Sequence, residues 1–235
     1  MSSPSDGLTS APVPRGTGAP VWAEGVFGER LALAARYVDL LVGPGIERGL
    51  LGPREADRVW DRHVGNSALV ADVLPTTGRL VDIGSGAGLP GLPIALRRPD
   101  LEVVLLEPLL RRSQFLTEVV TDLGLANVVV LRGRAEEQKK RTYDLATARA
   151  VAPLAKLSQW ALPLLRRGGE LVALKGQSAA EEVEQAGSVL TRLGATGWTI
   201  EQLGQPEGDL AATVVRVRKG DPGGPSGSEK REERA

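Results

Sequence analysis

Three glycines stand at alternate positions in the stretch "RLVDIGSGAGLPGLPIALRRPDLEVVLLEP": Gly84, Gly86 and Gly88. A strand-like apolar run precedes them, and a second one ends in Glu107. A glycine loop between a strand and the following helix lets the backbone approach a bound molecule closely. A carboxylate at the end of the second strand, about twenty residues on, can accept hydrogen bonds from ribose hydroxyls. The stretch "GRAEE" follows a third apolar run, where it can line an adenine. These residue types at this spacing describe a site for an adenosine-bearing ligand.

The loop also restricts which ligand. It contains no GxxxxGK[ST], which argues against a P-loop ATPase. A nicotinamide dinucleotide places its pyrophosphate at the helix N-terminus, but Leu89-Pro90 occupies that entrance and proline removes a donor the pyrophosphate would use. S-adenosyl-L-methionine has an adenosine and a sulfonium but no phosphate, and it suits the loop better than NAD. Two alternatives stay open: an NAD-dependent oxidoreductase, and a non-catalytic RNA-binding module.

Composition narrows the chemistry. The chain has 235 residues, no cysteine and one histidine, His63. Thiolate-zinc sites, cysteine nucleophiles and multi-histidine metal sites are excluded, and no metal site is expected. A Ser-His-Asp triad is disfavoured. Apolar residues make up 42% and charged residues 25%, close to a globular average. The formal net charge is zero, so a nucleic-acid surface must come from local segregation of charge. No apolar run reaches ~18 residues and the N-terminus lacks the apolar core of a secretory signal; a cytoplasmic, membrane-free protein is expected.

The elements that position these residues follow from periodicity. Residues 1–21 and 219–235 are rich in Ser, Pro, Gly and charge and read as disordered tails. Residues 22–76 read as a helical extension: "ERLALAARYVDLLV" sets Leu31, Ala34, Ala35, Val38 and Leu41 on one face, and "READRVWDRHVGNSALVADVL" follows. Residues 77–218 alternate strand and helix. Strands are predicted at "RLVDI", "EVVLLE", "VVVLRG", "DLATARA" and "GELVALKG", with helices at 89–98, 110–124, about 154–165 and 179–194. Pro90 is placed in the first turn of the 89–98 helix. "GWTIEQL" and "ATVVRVRK" close the chain as a hairpin. Such alternation makes an α/β fold with a mostly parallel, Rossmann-like sheet and an antiparallel edge.

"VDIGSGAGLPGLPIAL", "LLEPLLRRSQFL", "GRAEE", "DLATARAVAPL" and "ALKG" occur in that order. Together they closely resemble the bacterial 16S ribosomal RNA guanine-N7 methyltransferases, also called the glucose-inhibited division protein B family. The resemblance covers roughly residues 24–218. "WDRHVGNSALV" is similar to that family's Arg-His segment, though the family more often has Leu-Asp where this chain has Val64-Gly65-Asn66. The resemblance implies a class I methyltransferase sheet, S-adenosyl-L-methionine as donor, and one guanine near the decoding site as target. It implies cofactor contacts from Gly84, Leu89, Ala135, Glu136 and Arg149, and it matches Glu107 to the ribose carboxylate. The expected partner is 16S rRNA, a small ribosomal subunit or an assembly intermediate, and the expected state is a monomer.

The chemistry fits this residue set. Guanine N7 offers an in-plane lone pair with no proton to remove, so alignment and shaped electrostatics suffice. Methylation at C5 of a pyrimidine would need a cysteine that the chain lacks. Holding RNA needs cations. Arg111, Arg112, Arg134 and Lys175 are the expected RNA contacts, with Arg132 nearby, and Arg149, Lys175 and His63 are the expected catalytic groups. Lys139-Lys140-Arg141 reads as a charged loop run. His63 admits two roles, contact with the RNA or a structural bond within the helical extension. The four tryptophans are scattered and form no stacking platform.

Overall fold

The computed structural model describes residues 18–138, 142–204 and 210–220. The tails and the Lys139-Lys140-Arg141 run lie outside the described residues, apart from positions 18–21, 219 and 220 at their inner ends.

Seven strands form one sheet in the order β3-β2-β1-β4-β5-β7-β6. They are β1 (Gly78–Ile83), β2 (Leu101–Glu107), β3 (Val128–Arg132), β4 (Tyr143–Arg149), β5 (Leu165–Lys175), β6 (Ala195–Gly204) and β7 (Ala211–Lys219). The first five pair in parallel, and β7 runs antiparallel between β5 and β6. The continuous apolar runs of β1 and β2 are what a strand buried on both faces requires. Leu80 and Leu105 pack on one side, while Val81 and Val104 pack on the other.

Helices cover both faces. Gly91–Arg97, Leu110–Asp122 and the N-terminal segment share one core cluster with the sheet. Leu154–Ala161 and Ala179–Arg192 share the other. Because β1 and β4 are neighbours while the chain passes from β1 to β2 to β3 on one side, the sheet has a topological switch between them. Ligands of open α/β sheets bind at such a switch, outside the carboxyl ends of the strands. Ile83, Glu107 and Arg149 end β1, β2 and β4 there.

Several boundaries differ from the sequence expectation. The helix expected over 154–165 stops at Ala161, because Pro163 opens a tight turn over Leu162–Leu164 and β5 begins at Leu165. The helix after the glycine loop begins at Gly91, with Pro90 as its capping residue rather than inside its first turn. The second half of the N-terminal segment is not one regular helix. Pro53–Arg58 is a 3₁₀ turn, Val59–Gly65 winds as a wider π-helix, and Leu69–Val73 is again 3₁₀.

The Gly65 position also has a packing reason. A side-chain carbon there would lie 2.5 Å from a Leu210 methyl and 2.7 Å from the Trp22 ring. Asn66 then accepts the Ala211 N–H at 3.2 Å, tying the segment to β7.

Gly91 gives a stability test in which two effects oppose. Alanine is the better helix former by about 1 kcal/mol. Its methyl, however, would lie 2.4 Å from Leu105 Cδ2 and 2.7 Å from Asp82 Oδ2. Overpacking of a filled core costs about 1–3 kcal/mol, so Gly91→Ala is expected to destabilise the fold in urea unfolding.

Candidate active site

The strand ends and the loops after them enclose three adjoining cavities. The central one, about 560 Å³, is lined by Gly84, Gly86, Leu89, Glu107, Arg149 and His63, among others. A second of about 190 Å³ opens beside it between Ile83, Leu106, Pro108, Ala135, Glu136 and Trp160. The third, about 840 Å³, lies over the ends of β4 and β5 and includes Arg62, Asn66, Arg149, Lys175 and Thr213. Gly84 and Val151 line the first two, and Arg149, Ala150 and Val151 line both the first and the third.

The glycine loop turns through left-handed backbone at Gly84 (φ 69°), Gly86 (φ 59°) and Gly88 (φ 103°), conformations that favour glycine. Their surroundings differ. A side-chain carbon at Gly88 would strike Leu92 at 2.3 Å, so that glycine serves packing. One at Gly86 would meet only the Gly84 carbonyl at 3.8 Å and would otherwise project into open space. Gly86 is thus the position where a ligand can lie against bare backbone.

Glu107 is buried, and its Oε2 and Oε1 accept the N–H groups of Gly86 and Leu109, each at 2.9 Å. A carboxylate has about four lone-pair sites, so two remain for a diol. The second cavity is apolar apart from its Arg134–Glu136 rim, as the face of an adenine requires. The residues present therefore fit an adenosine, with ribose at Glu107 and base against Ala135 and Trp160.

The helix entrance offers no phosphate site. Pro90 lacks an N–H, and the Gly91 N–H is already given to Asp82 Oδ2 at 3.0 Å. Asp82 is fully buried, and among the described residues its Oδ1 has no hydrogen-bond partner. Burial pushes its carboxyl up to about 7, against the lowering effect of the Gly91 and Ser85 hydrogen bonds.

The expected catalytic residues are not one cluster. Arg149 is half-buried on the wall between the central and third cavities. Its Nη1 donates to the His63 carbonyl and to Ser67 Oγ, both at 3.2 Å, and its Nη2 to His63 Nδ1 at 2.6 Å. Lys175 borders the third cavity, but its ammonium is taken up by protein groups. Its ammonium bonds Glu182 at 2.7 Å and the Ala152 carbonyl at 2.8 Å, and Glu182 also accepts the Leu154 N–H at 2.7 Å. Burial pushes the Glu182 carboxyl up, but Lys175 and the Leu154 N–H outweigh it and hold it below the usual range. Lys175 thereby fixes the loop after β4. Arg112 lines the central cavity and Arg134 the second, both exposed; Arg111, next to Arg112, is exposed and lines none of the three.

The sequence matches the family model described as rRNA small subunit methyltransferase G over residues 30–211. The chain belongs to that family.

Curated relatives named ribosomal RNA small subunit methyltransferase G agree with the assignment. One from Mycolicibacterium paratuberculosis is 56% identical over 208 residues, 87% of this chain and 84% of that protein. One from Streptomyces avermitilis is 52% identical over 209 residues, 88% of each. Among solved structures, the chain is similar to a putative S-adenosyl-L-methionine-dependent methyltransferase from Methanococcus maripaludis. The TM-score is 0.56 and the identity 17%, covering 76% of this chain and 90% of that one. A predicted O-methyltransferase from Agrobacterium tumefaciens gives a TM-score of 0.54 at 21% identity, covering 68% and 81%. These likenesses show the class I methyltransferase fold.

Sequence reasoning missed five residues that shape the methyltransferase site. Asp82 carried a signal, an acid inside an apolar strand just before the loop. Tyr37, Glu55, Ser67 and Glu182 carried none, because each acts across a long stretch of chain or through an irregular turn. Tyr37 is fully buried in the N-terminal segment, and its hydroxyl donates to the Ala87 carbonyl of the glycine loop at 3.0 Å.

Asp82 gives a signed pH test. Its folded-state pKa lies above the unfolded value of 3.8, so the folded chain holds the proton more tightly. Its contribution is fully present below 3.8 and is lost as pH rises through about 7. Urea midpoints of the native chain relative to Asp82→Asn should therefore decline from pH 4 to 7. A level difference would contradict the protonated, buried carboxyl.

Proposed function

We propose that this chain transfers the methyl group of S-adenosyl-L-methionine to N7 of one guanine in 16S rRNA near the decoding site. The observation that carries the reading is the continuous cleft across the β1–β4 switch, with an adenosine-shaped half ending at Glu107 and a separate cavity beyond Arg149. The relatives named as small-subunit rRNA methyltransferases support it.

S-adenosyl-L-methionine supplies an activated methyl on a sulfonium. The chain's own residues bind and align. Glu107 takes the ribose, Gly86 gives bare backbone to the amino-acid side with Gly84 and Leu89 beside it, and Ala135 and Glu136 border the adenine. Gly88 supports them by letting Leu92 close beneath the loop. Arg149, at the junction, reaches both donor and guanine. The N7 lone pair needs no base, which agrees with a cleft whose single histidine is already hydrogen-bonded on both ring nitrogens.

Arg111, Arg112 and Arg134 hold phosphates on the rim. Lys175 contributes by fixing the loop beneath the guanine and adds its field to the third cavity. The extension 22–76 and the domain 77–218 work as one unit, as their shared core cluster supports. Among the described residues no helix is long and apolar enough to cross a membrane. We infer a monomer that works in the cytoplasm on rRNA or a small-subunit particle.

Unmodified 16S rRNA, free and in small subunits, is incubated with labelled donor and digested to nucleosides. The label is expected in 7-methylguanosine. Label in another nucleoside, or none in either substrate, would refute the reading. Gly86→Val fills the space against the loop and should weaken donor binding in calorimetry by at least about 100-fold, the cost of roughly 3 kcal/mol.

A further inference from the structure

Arg149 is held entirely by the N-terminal segment among the bonds described above. His63 Nε2 lies 2.7 Å from Glu55 Oε2, and His63 Nδ1 lies 2.6 Å from Arg149 Nη2. A guanidinium only donates and an ionised carboxylate only accepts. The network therefore fixes the tautomer: Nε2 carries the proton toward Glu55, and Nδ1 presents its lone pair to Arg149. His63 sits on the π-helical stretch Val59–Gly65, whose wide turn presents both its ring and its carbonyl to the same guanidinium. Such turns are frequent at functional sites.

We propose that Glu55 and His63 are a positioning pair that holds the Arg149 guanidinium on the wall between the donor and guanine cavities, and that this hold exists only while His63 is uncharged. The functional half rests on the methyl-transfer reading; the contact itself does not.

A proton on Nδ1 would replace a hydrogen bond by two cations at 2.6 Å and expel Arg149 from the wall. The groups facing His63 are Glu55, Arg62 and Arg149, with Arg58 acting on Glu55. Burial and Arg149 push His63 below its ordinary 6.5, against the opposing pull of Glu55. Glu55 is itself held below its usual range, mainly by the His63 hydrogen bond, so it stays ionised. The uncharged state thus prevails at neutral pH and is lost as pH falls through the folded-state value below 6.5.

His63 is the chain's one histidine, so the untagged full-length protein gives one imidazole signal in heteronuclear NMR. The expected result is the Nε2–H tautomer with a midpoint below 6.5. Arg149→Gln should raise that midpoint and Glu55→Gln should lower it. Methyl transfer should fall about tenfold per pH unit below the same midpoint. This acidic limb should follow the midpoint downward in Glu55→Gln and vanish in His63→Asn, which keeps an acceptor toward Arg149 but does not titrate there. A His63 midpoint indifferent to Arg149→Gln would overturn the contact. A limb that stays in place while the midpoint moves would overturn the positioning role. If the titrations behave as expected but no RNA is methylated, the reaction reading fails and the contact stands.

Discussion

Glu107 lies almost wholly out of water, and its two oxygens accept the Gly86 and Leu109 N–H groups at 2.9 Å each. One buried anion therefore ties the glycine loop to the turn after β2. A carboxylate can be buried at that point only because backbone donors meet it. The β1–β2 register, with Ile83 opposite Leu106, brings the start of the loop beside Glu107. The left-handed glycines then turn the Gly86 N–H toward it. The β1–β2 register, the winding of the glycine loop and the turn after β2 meet at this one hydrogen-bonded corner.

The N-terminal segment completes what the sheet begins. Tyr37 supports the underside of the glycine loop through the Ala87 carbonyl, while His63 and Ser67 take hold of Arg149 at the end of β4. Both contacts cross from the helical segment to strand ends more than forty residues away in sequence. On the opposite face, Lys175 and Glu182 fix the loop that follows Arg149. Ala150, in left-handed backbone at φ 53°, sits between these two restraints. The N-terminal segment thus holds the Arg149 guanidinium, and the Lys175–Glu182 pair holds the backbone just after it.

The strand and helix pattern was legible because each element carries its own period and its own stop. The apolar runs of β1 and β2, Gly124 after the Leu110–Asp122 helix and the closing hairpin all announce themselves locally. The three glycines and Glu107 were legible for the same reason, since loop and strand end are set by adjacent chain. The irregular winding of Val59–Gly65 was not, because no local period marks it; it ends at Gly65, which lies against Trp22 and Leu210, both distant in sequence. Glu55 and Ser67 were hidden for a different reason: they lie eight and four residues from His63, an ordinary same-face helical spacing, and nothing in the sequence says that this face meets Arg149. Lys175 looked like a free cation at a strand end until Glu182, seven residues on, was seen to fold back onto it.

If one guanine of the small-subunit rRNA receives its N7 methyl from this chain, loss of the gene must remove that methyl group. Mass-spectrometric mapping of that rRNA from cells with and without the gene tests it most directly. One 7-methylguanosine near the decoding site is expected to disappear on deletion and to return when the native chain is supplied. A small-subunit rRNA with its 7-methylguanosine unchanged in the deletion strain would contradict it.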